Sequence, residues 1–377
     1  MKILHLIKSL GRGGAEKLIL ETAAVHQKSF EFSCIHFYHR EGNIVEEMEQ
    51  IGINVSFLPS SNLGLFKQIS LVRKYVIENK IDLIHAHLPW AGILGRFVVR
   101  KLDIPLVYTE HNTWDRYKKI TYWANRLTFK KQDVAIAVSN EVALSFRLNS
   151  ILSPFKIEEK PKLKLIQNGV NKDKFVRNTE EGSRIRKSLS IPKEAFVIGN
   201  VAVFRMQKRL WLWVEQALEI LKSEPEVHFV LVGAGPWREQ IEKQIEESGK
   251  GSNFHLVGLQ KDVLPFLSMM DLFMISSEYE GLPVAMLEAM SCEIPVVSTA
   301  AGGIAEVISH GEEGFICEVE EYQELARFAL NLINNPTTHQ EMSKSARRKV
   351  VELFSLQKMV MQLEEVYSEF RKTGTKG

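Results

Sequence analysis

Two α/β domains, each built on a doubly wound parallel sheet, are what this sequence predicts. Short apolar runs bounded by polar turns recur through both halves of the chain, with segments of helical periodicity between them. Between the halves, residues 171–192 are highly charged and carry no apolar run, which reads as a linker. The length of 377 residues also exceeds what one hydrophobic core usually organises. The first domain is therefore placed at 1–170 and the second at 193–355, with a C-terminal helix over 356–377 packing back onto the first.

In the first half the strands are read at Lys2–Ile7, Phe32–Tyr38, Asn54–Leu58, Asp82–Ala86, Pro105–Thr109, Val134–Val138 and Lys164–Ile166. Helical periodicity marks Ala15–Gln27, Phe66–Asn79 and Ile120–Lys131 between them. The second half repeats the layout with strands at Val197–Val203, His228–Val232, Phe254–Val257, Leu272–Ile275, Pro295–Ser298 and Gly314–Cys317. Paired domains of this kind bind ligands at the carboxyl ends of their strands, so function is expected in the cleft where they face each other.

Composition narrows the function classes. A formal charge of +2 is too small for a global footprint on nucleic acid, so any anion must meet a local patch. Cys34, Cys292 and Cys317 are odd in number and far apart, which suggests neither a disulfide framework nor a zinc knuckle and fits a reducing, cytoplasmic setting. His5 and Lys8 interrupt the first apolar run before it reaches signal-peptide length, and no later run has the roughly 18 apolar residues of a spanning helix.

Two segments carry anion chemistry. Gly11-Arg12-Gly13-Gly14-Ala15-Glu16 follows the first strand and opens a helix, where bare amides can face phosphate. It fails the dinucleotide fingerprint, because Glu16 stands where a third glycine belongs, and a plain tight turn explains it equally well. The stronger segment runs from Ser276 to Met290 as strand end, loop and helix. Pro283 suits a first helical turn, and a diphosphate would meet the amides of Gly281 and Leu282 at the positive end of the helix dipole. Glu280 would then face sugar hydroxyls and Glu288 the ribose.

With these motifs the chain resembles the retaining glycosyltransferases of family 4. Their two glutamates separated by seven residues stand here as Glu280 and Glu288, within Glu-Gly-Leu-Pro and Leu-Glu-Ala-Met. The likeness continues through Gly302-Gly303-Ile304 and Gly311-Glu312-Glu313-Gly314-Phe315, and upstream through Gln167-Asn168-Gly169-Val170, Val232-Gly233-Ala234-Gly235-Pro236 and the opening Gly13-Gly14-Ala15-Glu16.

The resemblance implies the GT-B architecture, two Rossmann-like domains with an acceptor on the first and a nucleotide-diphosphate sugar on the second. UDP-sugars are favoured and GDP-sugars possible. It implies retention of configuration and donor contacts from Gly13, Gly14, Asn168, Gly233, Gly281, Leu282, Pro283 and Glu288, with Glu280 among the catalytic residues. Lys208 matches the family lysine that neutralises the leaving diphosphate. The family arginine five residues earlier is replaced by Val203, which shifts that role to Arg205. His111, in Thr109-Glu110-His111-Asn112 at a strand end, matches the family histidine near the reacting sugar.

His85 and His87 have a spacing that suggests a metal, yet no third ligand accompanies them in sequence, and a structural or acceptor-side role is favoured. No Asp-X-Asp pair occurs, so no metal and no cofactor are expected and cationic side chains must stabilise the diphosphate. Residues 114–131 mix aromatic and basic residues, fitting either an amphipathic helix on an anionic membrane near a lipid-linked acceptor or an ordinary packed helix. A glycan or lipid-linked acceptor of cell-surface polysaccharide or glycolipid synthesis is the expected setting. The rival readings are a nucleotide-sugar 2-epimerase, an NAD-dependent oxidoreductase and a non-catalytic nucleotide-sugar-binding protein.

Overall fold

The computed structural model describes residues 1–61, 64–146 and 161–371, with only the backbone of Leu65. Its contacts divide the chain into two compact units, Met1–Asn168 with Leu356–Gly377, and Gly169–Ser355.

The first unit holds β1 (Lys2–Ser9), β2 (Glu31–Tyr38), β3 (Asn54–Phe57), β4 (Leu83–His87), β5 (Leu106–Glu110), β6 (Val134–Ala137) and β7 (Lys162–Leu165). They form one parallel sheet in the order β3-β2-β1-β4-β5-β6-β7. The order reverses between β1 and β4, so the loops after these strands diverge and leave a crevice at their carboxyl ends. β4, β5 and β6 are buried along their whole length, because helices cover both faces. The histidines His5 and His85 sit side by side in the β1–β4 register, where such a sheet ordinarily carries aliphatic residues.

The C-terminal helix, Leu356–Ser368, belongs to this unit and packs on the helix Gly14–Val25. Its buried stripe of Leu356, Met359, Val360, Leu363, Val366 and Tyr367 has helical spacing, and each such side chain contributes roughly 1.5–3 kcal/mol. That burial outweighs the polar anchor, in which Glu364 accepts from the Gln27 amide at 2.8 Å and stands 3.0 Å from His26 Nδ1. Residues 372–377 of the expected helix lie outside the described residues.

The second unit holds β8 (Val197–Val201), β9 (His228–Val232), β10 (Phe254–Gly258), β11 (Leu272–Ile275), β12 (Val296–Thr299) and β13 (Gly314–Cys317), all parallel. Their order, β10-β9-β8-β11-β12-β13, repeats the winding of the first sheet and places the reversal between β8 and β11. Trp213, Phe229, Leu272, Met274, Val297 and Leu325 lie within one core that joins the helix Leu210–Ile220 to the sheet.

The expected linker is a correction. Residues 171–192 contain the helix Thr179–Ser188, capped by the Asn178 side chain and folded onto the second unit. Arg186 and Arg177 both pair with Asp271, at 2.7 and 3.3 Å, just before β11. Two of the charges that resembled a solvated linker are thus held by one carboxylate, and Arg186 also donates to the Met269 carbonyl at 2.7 Å.

One glycine fixes the relation between two loops of this unit. Gly302 has φ +64°, and a Cβ there would stand 2.0 Å from the Glu280 carbonyl oxygen. Beside it the Gly303 amide donates to the Gly281 carbonyl at 2.7 Å. Gly311 also has positive φ, at +90°, but faces open space. Gly302→Ala should therefore lower unfolding stability by clearly more than the ~1 kcal/mol that left-handed strain alone costs, whereas Gly311→Ala should lose only that strain. Paired denaturant titrations of the two variants measure the difference.

Candidate active site

In the second unit the site is built where the β8 and β11 loops meet. Ser276 follows β11 and its hydroxyl donates to the Lys208 carbonyl at 2.9 Å, while the Glu278 amide donates to the Gln207 carbonyl at 2.8 Å. Arg209, in the left-handed region at φ 44°, donates to the Ser276 carbonyl at 2.8 Å and the Val319 carbonyl at 2.9 Å. These bonds stitch the basic turn Met206–Lys208 to the loop that carries Glu280.

The result is an ion pair: Lys208 Nζ lies 2.5 Å from Glu280 Oε1. Ser277 Oγ donates to the same oxygen at 2.6 Å, and Glu280 itself is only 7% exposed. A buried carboxylate with two donors on one oxygen keeps its second oxygen for a further partner. A cation pinned beside a helix start can serve a diphosphate at the same place.

That helix is Val284–Ser291, and Pro283 is its N-cap in extended conformation, not a residue of its first turn as expected. Its ring has φ −71°, which suits either place, but ψ 116° keeps it outside the helix, so the first helical amide is that of Val284. Gly281 and Leu282 lie in the preceding loop, and Glu288 is buried inside the helix. Gly233 follows β9 at φ +129°, where a Cβ would stand 1.9 Å from the Ala202 carbonyl, so the loops after β8 and β9 nest only around glycine. Arg205 is exposed and makes no ion pair among the described residues, whereas Arg209 is the loop clamp.

In the first unit the β5 end carries a second polar assembly. Glu110 is fully buried and accepts from the amides of His111 at 2.9 Å and Asn112 at 3.2 Å. It also accepts from Tyr117 Oη at 2.7 Å, Trp114 Nε1 at 3.1 Å and Tyr108 Oη. Burial raises its pKa and these donors oppose the rise. The carboxylate thereby fixes the loop that presents His111. Fully buried Arg96 stacks 4.7 Å from the Tyr108 ring and donates to Asn125 Oδ1 at 2.5 Å and Gln132 Oε1 at 2.7 Å.

His111 stands over a histidine cluster. Its Nε2 is 3.5 Å from His87 Nδ1, and His87 Nε2 is 2.9 Å from His5 Nδ1. His85 bonds Thr109 Oγ1 and Tyr367 Oη, each at 2.7 Å. Desolvation lowers His5 to about 3, His111 to about 4, and His85 and His87 well below their ordinary value, so all four rings are neutral near pH 7. The absence of a third partner for His85 and His87 is thus corrected: β1 supplies His5, and ligand atoms of the three lie within 4.8 Å of one another.

The sequence reading saw His5 only as a break in an apolar run. It missed Glu110, Ser277 and Arg209, although a charged residue ending a buried strand is the signal that marks Glu110. Gly13 caps the helix Gly14–Val25 with no side chain, and Gly14 is its exposed first residue. Asn168, buried, closes the first unit.

Comparison with known proteins agrees with this architecture. Residues 182–349 match the family model for glycosyl transferases group 1, and residues 12–174 match that for glycosyltransferase family 4. The chain is 27% identical over 383 residues to the UDP-Gal:alpha-D-GlcNAc-diphosphoundecaprenol alpha-1,3-galactosyltransferase of Escherichia coli, covering 97% of this chain and 96% of that one. It is 26% identical over 330 residues to the N-acetyl-alpha-D-glucosaminyl L-malate synthase of Bacillus anthracis, covering 85% and 82%. Among solved structures, Anabaena Alr3699/HepE in complex with UDP-glucose superposes with a TM-score of 0.86 at 23% identity, over 98% of this chain and 100% of that one. That likeness shows the fold. With two doubly wound sheets and the two matches together running from residue 12 to residue 349, the chain belongs to the group 1, family 4 glycosyltransferases and has the GT-B fold.

Proposed function

We propose that this protein is a retaining, metal-independent glycosyltransferase that moves a hexosyl or N-acetylhexosaminyl group from a UDP-sugar to a glycan or lipid-linked hydroxyl. The observation that carries the reading is the Lys208–Glu280 pair beside the start of the helix Val284–Ser291. Lys208 and that helix terminus supply positive charge for a leaving diphosphate without a metal ion, as electrostatic stabilisation of this step requires. Glu280 offers its second oxygen to the sugar and Glu288 lies in the helix that follows, while His111 is held by Glu110 in the acceptor unit. Arg205, exposed in the same basic turn, is free to approach the phosphates. Gly13, Gly14, Asn168 and Gly233 are assigned to the donor by family likeness.

UDP as the donor nucleotide is supported by the E. coli relative, whose name specifies UDP-Gal, and by the Anabaena protein in complex with UDP-glucose. Polysaccharide synthesis is supported by a Staphylococcus aureus capsular polysaccharide biosynthesis glycosyltransferase, CapH, 24% identical over 382 residues.

Membrane contact is part of the proposal. Among the described residues no helix is long and apolar enough to cross a membrane. The helix Lys119–Thr128, however, exposes Ile120 at 80%, Trp123 at 53% and Leu127 at 73%. Exposed Arg116, Lys118, Lys119, Lys130 and Lys131 flank them, which suits an anionic bilayer. Trp114, Phe129 and Arg126 are buried and belong to the core, so the lipid-facing set is smaller than its sequence suggested.

Lys208→Gln keeps a donor for Glu280 but removes the charge. It should lower kcat roughly 100-fold with unfolding temperature little changed, in an assay where EDTA leaves the wild-type rate intact and the product keeps the donor's anomeric configuration. A wild-type rate in the variant, or EDTA loss restored by magnesium, sinks the assignment. On phosphatidylglycerol vesicles the wild type should sediment and the Ile120→Ser/Trp123→Ser/Leu127→Ser variant should stay in the supernatant, and neutral vesicles should bind neither.

A further inference from the structure

Three imidazoles follow one another: His5 from the middle of β1, His87 from the end of β4, and His111 just after β5. His5 and His87 are buried at 3% and 6% exposure, and His111 is partly exposed at the outer end. The ring centroids of His5 and His87 are 5.1 Å apart, and those of His87 and His111 5.8 Å. A cavity lined by His5, His85, His87, His111, Thr109 and Tyr367 runs along these rings.

A neutral imidazole has one N–H and one bare nitrogen. Two proton arrangements therefore satisfy both bonds of the chain. In one, His111 Nε2 donates to His87 Nδ1 and His87 Nε2 donates to His5 Nδ1. In the other, His5 Nδ1 donates to His87 Nε2 and His87 Nδ1 donates to His111 Nε2. Mixed arrangements leave two lone pairs or two protons face to face in a desolvated site, which costs about 1–3 kcal/mol per unmade bond. His85 bonds two hydroxyls that can rotate to either role, so it imposes no choice and leaves the chain to decide.

We infer that His5 and His87 are positioning residues that tie the tautomer of His111 to their own through this imidazole chain. The inference rests on the reading that His111 acts in sugar transfer. The outer nitrogen of His111, Nδ1, is then bare in the first arrangement and protonated in the second, and the chain sets whether it accepts from a sugar hydroxyl or donates to it. A wrong tautomer in a well-placed histidine removes its catalytic contribution while leaving the geometry in place. A metal on His5, His85 and His87 is the competing occupant. The direct His5–His87 bond and the two bonds of His85 already use nitrogens it would need.

The test is ring-nitrogen NMR of full-length protein labelled with 15N-histidine, together with steady-state kinetics. Wild type should show His5, His87 and His111 in matched neutral tautomers, all three protonated on Nε2 or all three on Nδ1. His87→Phe should give averaged His111 nitrogens and a kcat at least about tenfold lower, with the donor KM changed less than about twofold. His87→Asn, which restores a polar group near the Nδ1 position, should recover most of both signals. Should His87→Phe not fold, His5→Leu, two rings from His111, should produce the same averaging. An unchanged single tautomer in these variants, or stoichiometric metal in the purified wild type, overturns the inference. Full activity in His111→Ala would instead sink the catalytic role of His111 while leaving the tautomer spectra to stand on their own.

Discussion

The second unit depends on one ion pair. Lys208 and Glu280 lie 72 residues apart in sequence, and their contact exists because β8 and β11 are neighbours at the point where the strand order reverses. An amine and a carboxylate taken out of water are tolerable only when paired and further hydrogen-bonded, and Ser277 supplies the additional donor. Loop stitching by Ser276 and Arg209 and the close approach of Gly302 keep the two groups within reach. Without a nucleotide, the cation that would meet a diphosphate is already spoken for by the carboxylate that would meet the sugar. Ligand binding then becomes an exchange of partners in a low-dielectric site, and no bare charge has to be buried in advance.

The first unit solves a related problem without a direct ion pair. Glu110 is satisfied by two amides, two phenols and an indole, and Arg96 is held through Nε and Nη1 by amide side chains and across an aromatic face. The two charges lie on opposite sides of Tyr108, whose hydroxyl meets the carboxylate and whose ring meets the guanidinium. Around Glu110 every donor converges on one carboxylate, which favours one loop conformation and places His111 at its edge, whereas Arg96 Nη2, Asn125 Nδ2 and Gln132 Nε2 are buried without a hydrogen-bond partner among the described residues.

Much of the fold was legible because parallel strands buried on both faces leave contiguous apolar runs, and each strand read from the sequence lies within a few residues of an observed one. The region 171–192 was misread for a definite reason. Arg177 and Arg186 serve backbone carbonyls and Asp271, and their spacing becomes meaningful only when β11 stands opposite. Glu280 and Lys208 were singled out by their motifs, but the bond between them was not legible. Motif spacing describes each segment and does not reveal which loops a strand order brings together. The histidine cluster was hidden for the same reason: His5 and His85 are register partners across β1 and β4, a relation absent from linear distance.

The central claim is that Lys208 is shared between Glu280 and the diphosphate, and calorimetric titration of UDP into wild type and Glu280→Gln tests it most directly. The substitution keeps a side chain for Ser277 to bond but removes the competing charge. UDP without its sugar should then bind several-fold tighter to the variant, with a gain of up to about 1 kcal/mol as expected for a partly exposed pair. Equal or weaker binding by the variant would contradict the claim and assign Glu280 directly to the nucleotide or its loop.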